Sequence, residues 1–238
     1  MKITKLSSAL ILFGALMLAA GYSYAETIIL RSGNGIVGGN DSQVSMSIGP
    51  ADSEFSAAFT SVDFQNSRNG YDAFIIAPHS AWVNALAGDD TSQWISTSSN
   101  GVIEGGTALY AISFNLEDSF DSATLDLHFI VDNYLGGSIN QGVYLNGIAI
   151  SGNSVMGNFM DETVITRADI GSLLVSGENT LYINATDVGG PSGLIFRATI
   201  ETKSAPIPEP DTVALLGTGL AGFLLTVRFS SGKIKIPV

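Results

Sequence analysis

An all-β sandwich is the fold class this chain predicts, and three observations predict it. Gly, Ser, Asn, Thr and β-branched residues dominate the body of the 238-residue chain, and no long segment keeps a helical period. Short runs alternate apolar and polar residues with period two, as half-buried strands require. Turn residues separate those runs at regular spacing, which favours a sandwich or jelly roll.

In chain order, residues 27–31, 54–59 and 108–116 are strand candidates. Residues 124–131 alternate most cleanly, with Leu125, Leu127, Phe129 and Val131 on one face and Asp126 and His128 on the other. Asn146-Gly147, between Val143-Tyr144-Leu145 and Ile148-Ala149-Ile150, predicts a tight hairpin, because a type I′ turn needs positive φ at both central residues. Thr166 is placed to cap a short helix through Leu174, ended by Gly177. Residues 182–185 form another strand candidate, and in 194–200 Leu194, Phe196, Ala198 and Ile200 alternate with Ile195, Arg197 and Thr199. There is no internal repeat.

The two ends obey different rules. Lys2 and Lys5 precede an apolar run over 9–20 and then Ser23-Tyr24-Ala25, the layout of a secretory signal peptide cleaved between Ala25 and Glu26. A retained anchor is the alternative, disfavoured because about twelve apolar residues are short for a span. Near the other end, sixteen uncharged residues (212–227) would make about 24 Å of helix at 1.5 Å per residue. Arg228 can reach from its end to the headgroups, so a single transmembrane helix over 212–228 is expected; a buried core helix is the alternative. Pro206, Pro208 and Pro210 remove three backbone donors and keep the preceding linker open and extended. The domain plan is therefore a signal peptide (1–25), a β-sandwich ectodomain (26–203), a Pro-rich linker (204–211), the spanning helix (212–228) and a basic cytoplasmic tail (229–238). Lys2 and Lys5 at one end, and Arg228, Lys233 and Lys235 at the other, place both ends on the cytoplasmic side and export everything between.

Composition excludes whole classes of function. Between residues 26 and 207 twenty acidic side chains face five basic ones, a net charge of −15, which repels nucleic acid. With no cysteine, the chain has no disulfides, no thiol catalysis and no Cys-ligated zinc.

The sequence Pro208-Glu209-Pro210, followed by a Gly/Leu/Ala-rich helix and basic residues, resembles the PEP-CTERM sorting signal of Gram-negative envelope proteins. The tail differs from the usual pattern in spreading its basic residues over Arg228, Lys233 and Lys235. The resemblance implies an exosortase-type processing enzyme as partner, transient anchoring in the inner membrane with the ectodomain in the periplasm, and delivery to the cell surface or extracellular matrix.

A second resemblance covers roughly residues 50–203. Ser92-Gln93-Trp94-Ile95-Ser96, Gly106 through Phe114, Ala123 through Asp132, Val143 through Gly147, Ser176 through Leu181 and Gly189 through Leu194 occur in the order seen in galactose-binding-like jelly rolls. That family includes carbohydrate-binding modules, so the resemblance implies binding of carbohydrate through variable loops, and together with the sorting resemblance the expected glycan is exopolysaccharide. No binding residue transfers from it.

Sugar sites offer an exposed aromatic ring flanked by amides, carboxylates or Arg. Tyr71, His79 and Trp82, in a segment broken by Pro78 and Gly88, are the expected ligand-binding residues, with core packing the competing role for Trp82; Trp94 is assigned to the core. No metal ligand is named and no cofactor is expected, a structural calcium being the exception allowed by Asp89-Asp90, Asp118 with Asp121, and Asp132-Asn133. The two histidines, His79 and His128, accompany no serine in a nucleophile-elbow context, so no catalytic residue is assigned. The expectation is a non-enzymatic, glycan-binding surface or matrix protein. A structural or adhesive protein with protein contacts only is the alternative, and a glycan hydrolase follows behind it.

Overall fold

The computed structural model describes residues 25–101, 106–116, 120–152 and 155–204, together with Gly219. The signal segment, Pro208-Glu209-Pro210 and the expected spanning helix fall outside the described residues, Gly219 excepted. No helix among the described residues is long and apolar enough to cross a membrane. Ala25–Ser204 is one compact unit.

Its elements in order are β1 (Thr27–Arg31), β2 (Asn40–Ile48), helix α1 (Ser61–Arg68), β3 (Tyr71–Ile75), β4 (Ile95–Ser96), β5 (Ala108–Leu116), β6 (Phe120–Asp132), β7 (Tyr134–Leu135), β8 (Val143–Leu145), β9 (Ile148–Ala149), β10 (Val155–Met156), β11 (Thr163–Arg167), a 3-10 turn (Gly171–Leu173), β12 (Gly177–Thr186) and β13 (Gly193–Ser204). The alternating run at 124–131 forms the centre of β6, which pairs antiparallel with β13 from Gly193↔Asp132 to Thr202↔Ala123. β11 flanks β6, while β1 and β4 share the other edge of β13. In the second layer β12 pairs with β5, β5 with β2, and β8 and β7 border β12. β3 joins the layers along one edge, pairing with β2 on one side and β4 on the other.

The inward residues of both layers make one core: Leu125, Leu127, Phe129 and Val131 meet Phe196, Ala198, Tyr110, Ile112, Leu181 and Ile183. Both outer faces are partly apolar too, and each is roofed by a chain excursion. Residues 76–94 lay Ile76, Trp82, Leu86 and Trp94 over Ile130 and Ile195. Residues 55–64 lay Phe55, Phe59 and Phe64 over Leu109, Ala111, Tyr144 and Tyr182. Side chains of both parities along β5, β6, β12 and β13 are therefore buried, which simple alternation does not show.

Three local expectations are corrected. Residues 54–59 form no strand: the Asn140 side chain accepts from the Phe59 amide (2.8 Å) and donates to the Ala57 carbonyl (2.7 Å), in the place a neighbouring strand would take. No helix starts at Thr166, which lies in β11 and donates its hydroxyl to Asp126 at 2.8 Å, so only the 3-10 turn remains of that element. α1, unexpected from periodicity, begins where the Thr60 amide donates to the Asp63 carboxylate at 2.7 Å. The predicted hairpin is present, with Asn146 at φ 51° and Gly147 at φ 83° between β8 and β9.

Candidate functional site

The short helix α1 is polar except for Val62 and Phe64, so it is held by docking and not by propensity. The Ser67 hydroxyl donates to the Leu109 carbonyl of β5, and the Ser45 hydroxyl of β2 donates to the Arg68 carbonyl at 3.0 Å. This fixes Phe64 above Tyr182, with ring centroids 4.8 Å apart, and against Tyr144 at 5.1 Å. Phe59 closes one side, 5.8 Å from Phe64. The Asn146-Gly147 turn closes another: Gly147 has φ 83°, which favours glycine, and a Cβ there would crowd the Phe64 ring at 3.2 Å.

These walls enclose a cleft of about 480 Å³ lined also by Gln65, Arg68, Glu178 and Thr180. Arg68 Nη1 lies 3.1 Å from Glu178 Oε1, with the two side chains 40% and 55% exposed. A pair that exposed contributes about 0–1 kcal/mol and can rearrange around a ligand's hydroxyls. Burial raises the Tyr182 hydroxyl above its ordinary pKa, against the lowering effects of Thr180 and Arg68, so it stays protonated at neutral pH. The Asn146 amide is already engaged: it donates to Leu173 and Asn179 and accepts from the Thr180 amide. Phe59 and Phe64 are half-buried, with Tyr182 buried beneath Phe64; the two Phe rings beside a guanidinium, a carboxylate and the Gln65 amide suit a sugar ring, stacking on its apolar face and bonding its hydroxyls.

The sequence-predicted residues lie elsewhere: His79 and Trp82 adjoin, and Tyr71 is at the other end of β3. Tyr71 opens β3 and is 74% exposed, beside a groove of about 450 Å³ also lined by Asn40, Ile48 and Asp72. His79 follows the far end of β3. It lies 6.0 Å from Trp82, which is only 6% exposed, stacks on Trp94 at 4.3 Å and donates its indole N–H to Asp132 at 2.9 Å. Trp82 is thus placed as a roof over the Ile130 and Ile195 face and not as a platform for ligand. Gly193 makes room for it: a Cβ there would come within 2.8 Å of the Trp82 ring. Missed by sequence reasoning were Phe59, Phe64, Arg68 and Glu178. The available signal was Thr60 followed three residues later by Asp63, an N-terminal helix mark just ahead of Phe64.

Two of the carboxylates named for calcium, Asp89 and Asp132, have partners within the protein. Asp89 binds Arg31, Thr91 and Ser92, while Asp132 binds Trp82 and Asn133; Asp118 lies outside the described residues. No group of three or more His, Asp or Glu among the described residues is placed to hold a metal. His128 bridges Glu162 and Asp126. Asn184-Ala185-Thr186 has the form of a glycosylation sequon, but it lies inside β12 with Asn184 1% exposed.

Asp187 is 1% exposed, with Oδ1 accepting from the Gly189 amide and Oδ2 unpartnered. Burial first, then the charge of Asp52, raises its pKa; burial and the charge of Asp187 raise that of Asp132. Folded-state values above the unfolded ones mean that the stability these groups contribute is complete below the ordinary carboxylate range and is lost as pH rises through the raised values. Asp187→Asn keeps an acceptor for Gly189 and removes a charge, so its urea midpoint is expected to fall less than that of the unsubstituted protein between acidic and neutral pH. An equal or steeper fall contradicts this assignment.

Residues 206–228 match the PEP-CTERM protein-sorting motif. The signal expected from Pro208-Glu209-Pro210 is therefore present. No curated protein matches the chain. Among solved structures the chain is similar to a family 35 carbohydrate binding module from Clostridium thermocellum, at 13% identity and TM-score 0.30, over 53% of this chain and 90% of that one. It is similar to CBM35 from Cellvibrio japonicus Abf62 at 13% identity and TM-score 0.34, over 74% and 97%. It is also similar to an Arthrobacter globiformis T6 isomalto-dextranase complexed with panose, at 9% identity and TM-score 0.31, over 76% and 33%. Likenesses this distant bear on neither the ligand nor its site.

Proposed function

We propose that this chain is an exported, non-enzymatic protein, sorted by an exosortase-type membrane enzyme through its C-terminal signal to the cell surface or extracellular matrix. Its sandwich, a jelly roll of the galactose-binding-like kind, binds exopolysaccharide glycan at the Phe64, Tyr182 and Arg68 cleft. The sorting motif over 206–228 is the observation that carries the first half. The aromatic floor beside Arg68, Glu178 and Gln65 supports the second.

The sequence of events is physical. A signal over 1–25 starts export, the apolar stretch of 212–228 halts it in the inner membrane, and the prolines between keep an open backbone within reach of a membrane protease. Replacing Pro208, Glu209 and Pro210 with alanine is expected to leave full-length protein in the inner membrane, while the unsubstituted protein loses the residues beyond the motif. Fractionation with mass spectrometry of the C-terminus reads both outcomes. Normal trimming and release of the substituted protein would refute the sorting assignment. For the cleft, retention of the mature protein on host polysaccharide is expected; self-association without any retention would favour the adhesive role.

A further inference from the structure

We propose that Glu178 sets the charge selectivity of the glycan cleft: by neutralising Arg68 it admits uncharged sugars and turns away uronates, whose carboxylate would otherwise take the guanidinium. The inference rests on the glycan reading above and extends it to the class of sugar and the residue that selects it.

Two faces meet at the cleft. Ser61, Phe64, Gln65 and Arg68 follow the i, i+3, i+4, i+7 spacing and present one side of α1 to it. Opposite them, Glu178 and Thr180 stand two residues apart and so project from the same face of β12. Arg68 lies four residues beyond Phe64, about 6 Å of helix rise. A sugar ring lying against Phe64 therefore carries its outer substituent to the point where Arg68 Nη1 and Glu178 Oε1 meet at 3.1 Å.

Several polar groups lining the cleft are already engaged. The Thr180 hydroxyl shares a hydrogen bond with Ser113 at 3.2 Å, and Thr60 donates its hydroxyl to Asp63 at 2.7 Å. The Asn146 amide is held by Leu173, Asn179 and Thr180. Arg68 and Glu178 are the only cation and the only anion among the described residues lining the cleft, so this exposed pair is the charged chemistry a ligand meets.

A sugar hydroxyl fits the pair without breaking it, since it accepts from the guanidinium and donates to the carboxylate at once. A uronate carboxylate offers acceptors alone. To reach Arg68 it must displace Glu178, which leaves two carboxylates beside one guanidinium on a domain whose residues 26–207 already carry a net −15. Arg68 is the better anchored charge of the two, because it occupies the last turn of α1, where the helix dipole favours a cation. Glu178 is thus the replaceable partner, and its removal exposes a guanidinium ready for bidentate contact with a carboxylate.

The test uses the mature exported protein with two probes of one backbone: the neutral polysaccharide fraction of the producing cells, and the same material with its primary hydroxyls oxidised to carboxylates. Calorimetry is expected to show the unsubstituted protein binding the neutral probe more tightly than the oxidised one. Glu178→Gln, a change at an exposed position, is expected to tighten binding of the oxidised probe about tenfold, a gain that added salt weakens. Its affinity for the neutral probe is expected to change little, which also shows that the fold persists. Adding Arg68→Gln is expected to abolish the gain. Equal or tighter binding of the oxidised probe by the unsubstituted protein overturns the selectivity assignment and leaves the cleft standing. So does a Glu178→Gln protein that shows no gain, or a gain that survives Arg68→Gln. Failure of both probes with every variant overturns the glycan reading itself.

Discussion

Replacing Trp82 with alanine is expected to destabilise the sandwich by about 3–5 kcal/mol, the range for removing a buried tryptophan, while leaving glycan affinity unchanged wherever the fold persists. The ring is 6% exposed and stacked on Trp94 at 4.3 Å, and together they cover the outer faces of Ile130 and Ile195. Its indole N–H is the donor to Asp132 Oδ2 at 2.9 Å, so truncation opens a cavity and leaves a buried carboxylate with one fewer partner. Trp82→Phe separates the two effects. It keeps most of the ring and loses the donor, so its penalty is expected to be about 1–3 kcal/mol. Urea unfolding read by fluorescence measures the stabilities, and titration with the retained polysaccharide measures binding. A Trp82→Ala protein of unchanged stability that no longer binds glycan would return this residue to the ligand site.

Trp82 and Tyr71 show how far the sequence reaches. Both are aromatic residues in a segment punctuated by Pro78 and Gly88, and composition gives no reason to separate them. What separates them is which surface each excursion covers. The loop after β3 folds back over β6 and β13 and carries Trp82 inward, whereas Tyr71 sits at the first residue of β3 and is exposed. Strands β6 and β13 were legible because their period-two patterns are local, and the hairpin because Asn-Gly supplies two positive-φ residues side by side. Helix α1 was not, since Ser-Val-Asp-Phe-Gln-Asn-Ser-Arg has no apolar stripe and its stability comes from docking onto β2 and β5. The cleft was hidden for the same reason. Residues 59–68 and 146–182 meet only through the β8, β12 and β5 register, which no spacing within either segment encodes.

Asp89→Ala is expected to destabilise the domain by about 3 kcal/mol at neutral pH, because one buried carboxylate organises four donors from two segments. Arg31 Nε lies 2.8 Å from Oδ2, the Ser92 hydroxyl donates to the same oxygen at 3.0 Å, and the Thr91 hydroxyl and amide both donate to Oδ1. Arg31 is partly exposed and recovers water when the carboxylate is removed, so the estimate stays at the low end of the range for a broken buried pair. The larger loss is at Ser92, whose hydroxyl also donates to the Phe196 carbonyl of β13 and so ties the 76–94 excursion to the sandwich. Burial alone would raise the Asp89 pKa, but the bonds from Thr91, Arg31 and Ser92 together outweigh it and hold the group far below the usual carboxylate range. The sign is then opposite to that of Asp132 and Asp187. A folded value below the unfolded one gives stability that is present above the ordinary carboxylate range and lost as pH falls toward the depressed value. Between neutral pH and about pH 3, the unsubstituted protein should therefore begin to lose the Asp89 contribution, while Asp89→Ala, having none to lose, shows the smaller decline in urea midpoint. A penalty that stays constant across that span would mean that Asp89 acts through shape and neutral hydrogen bonding, and that its charge does not hold the excursion in place.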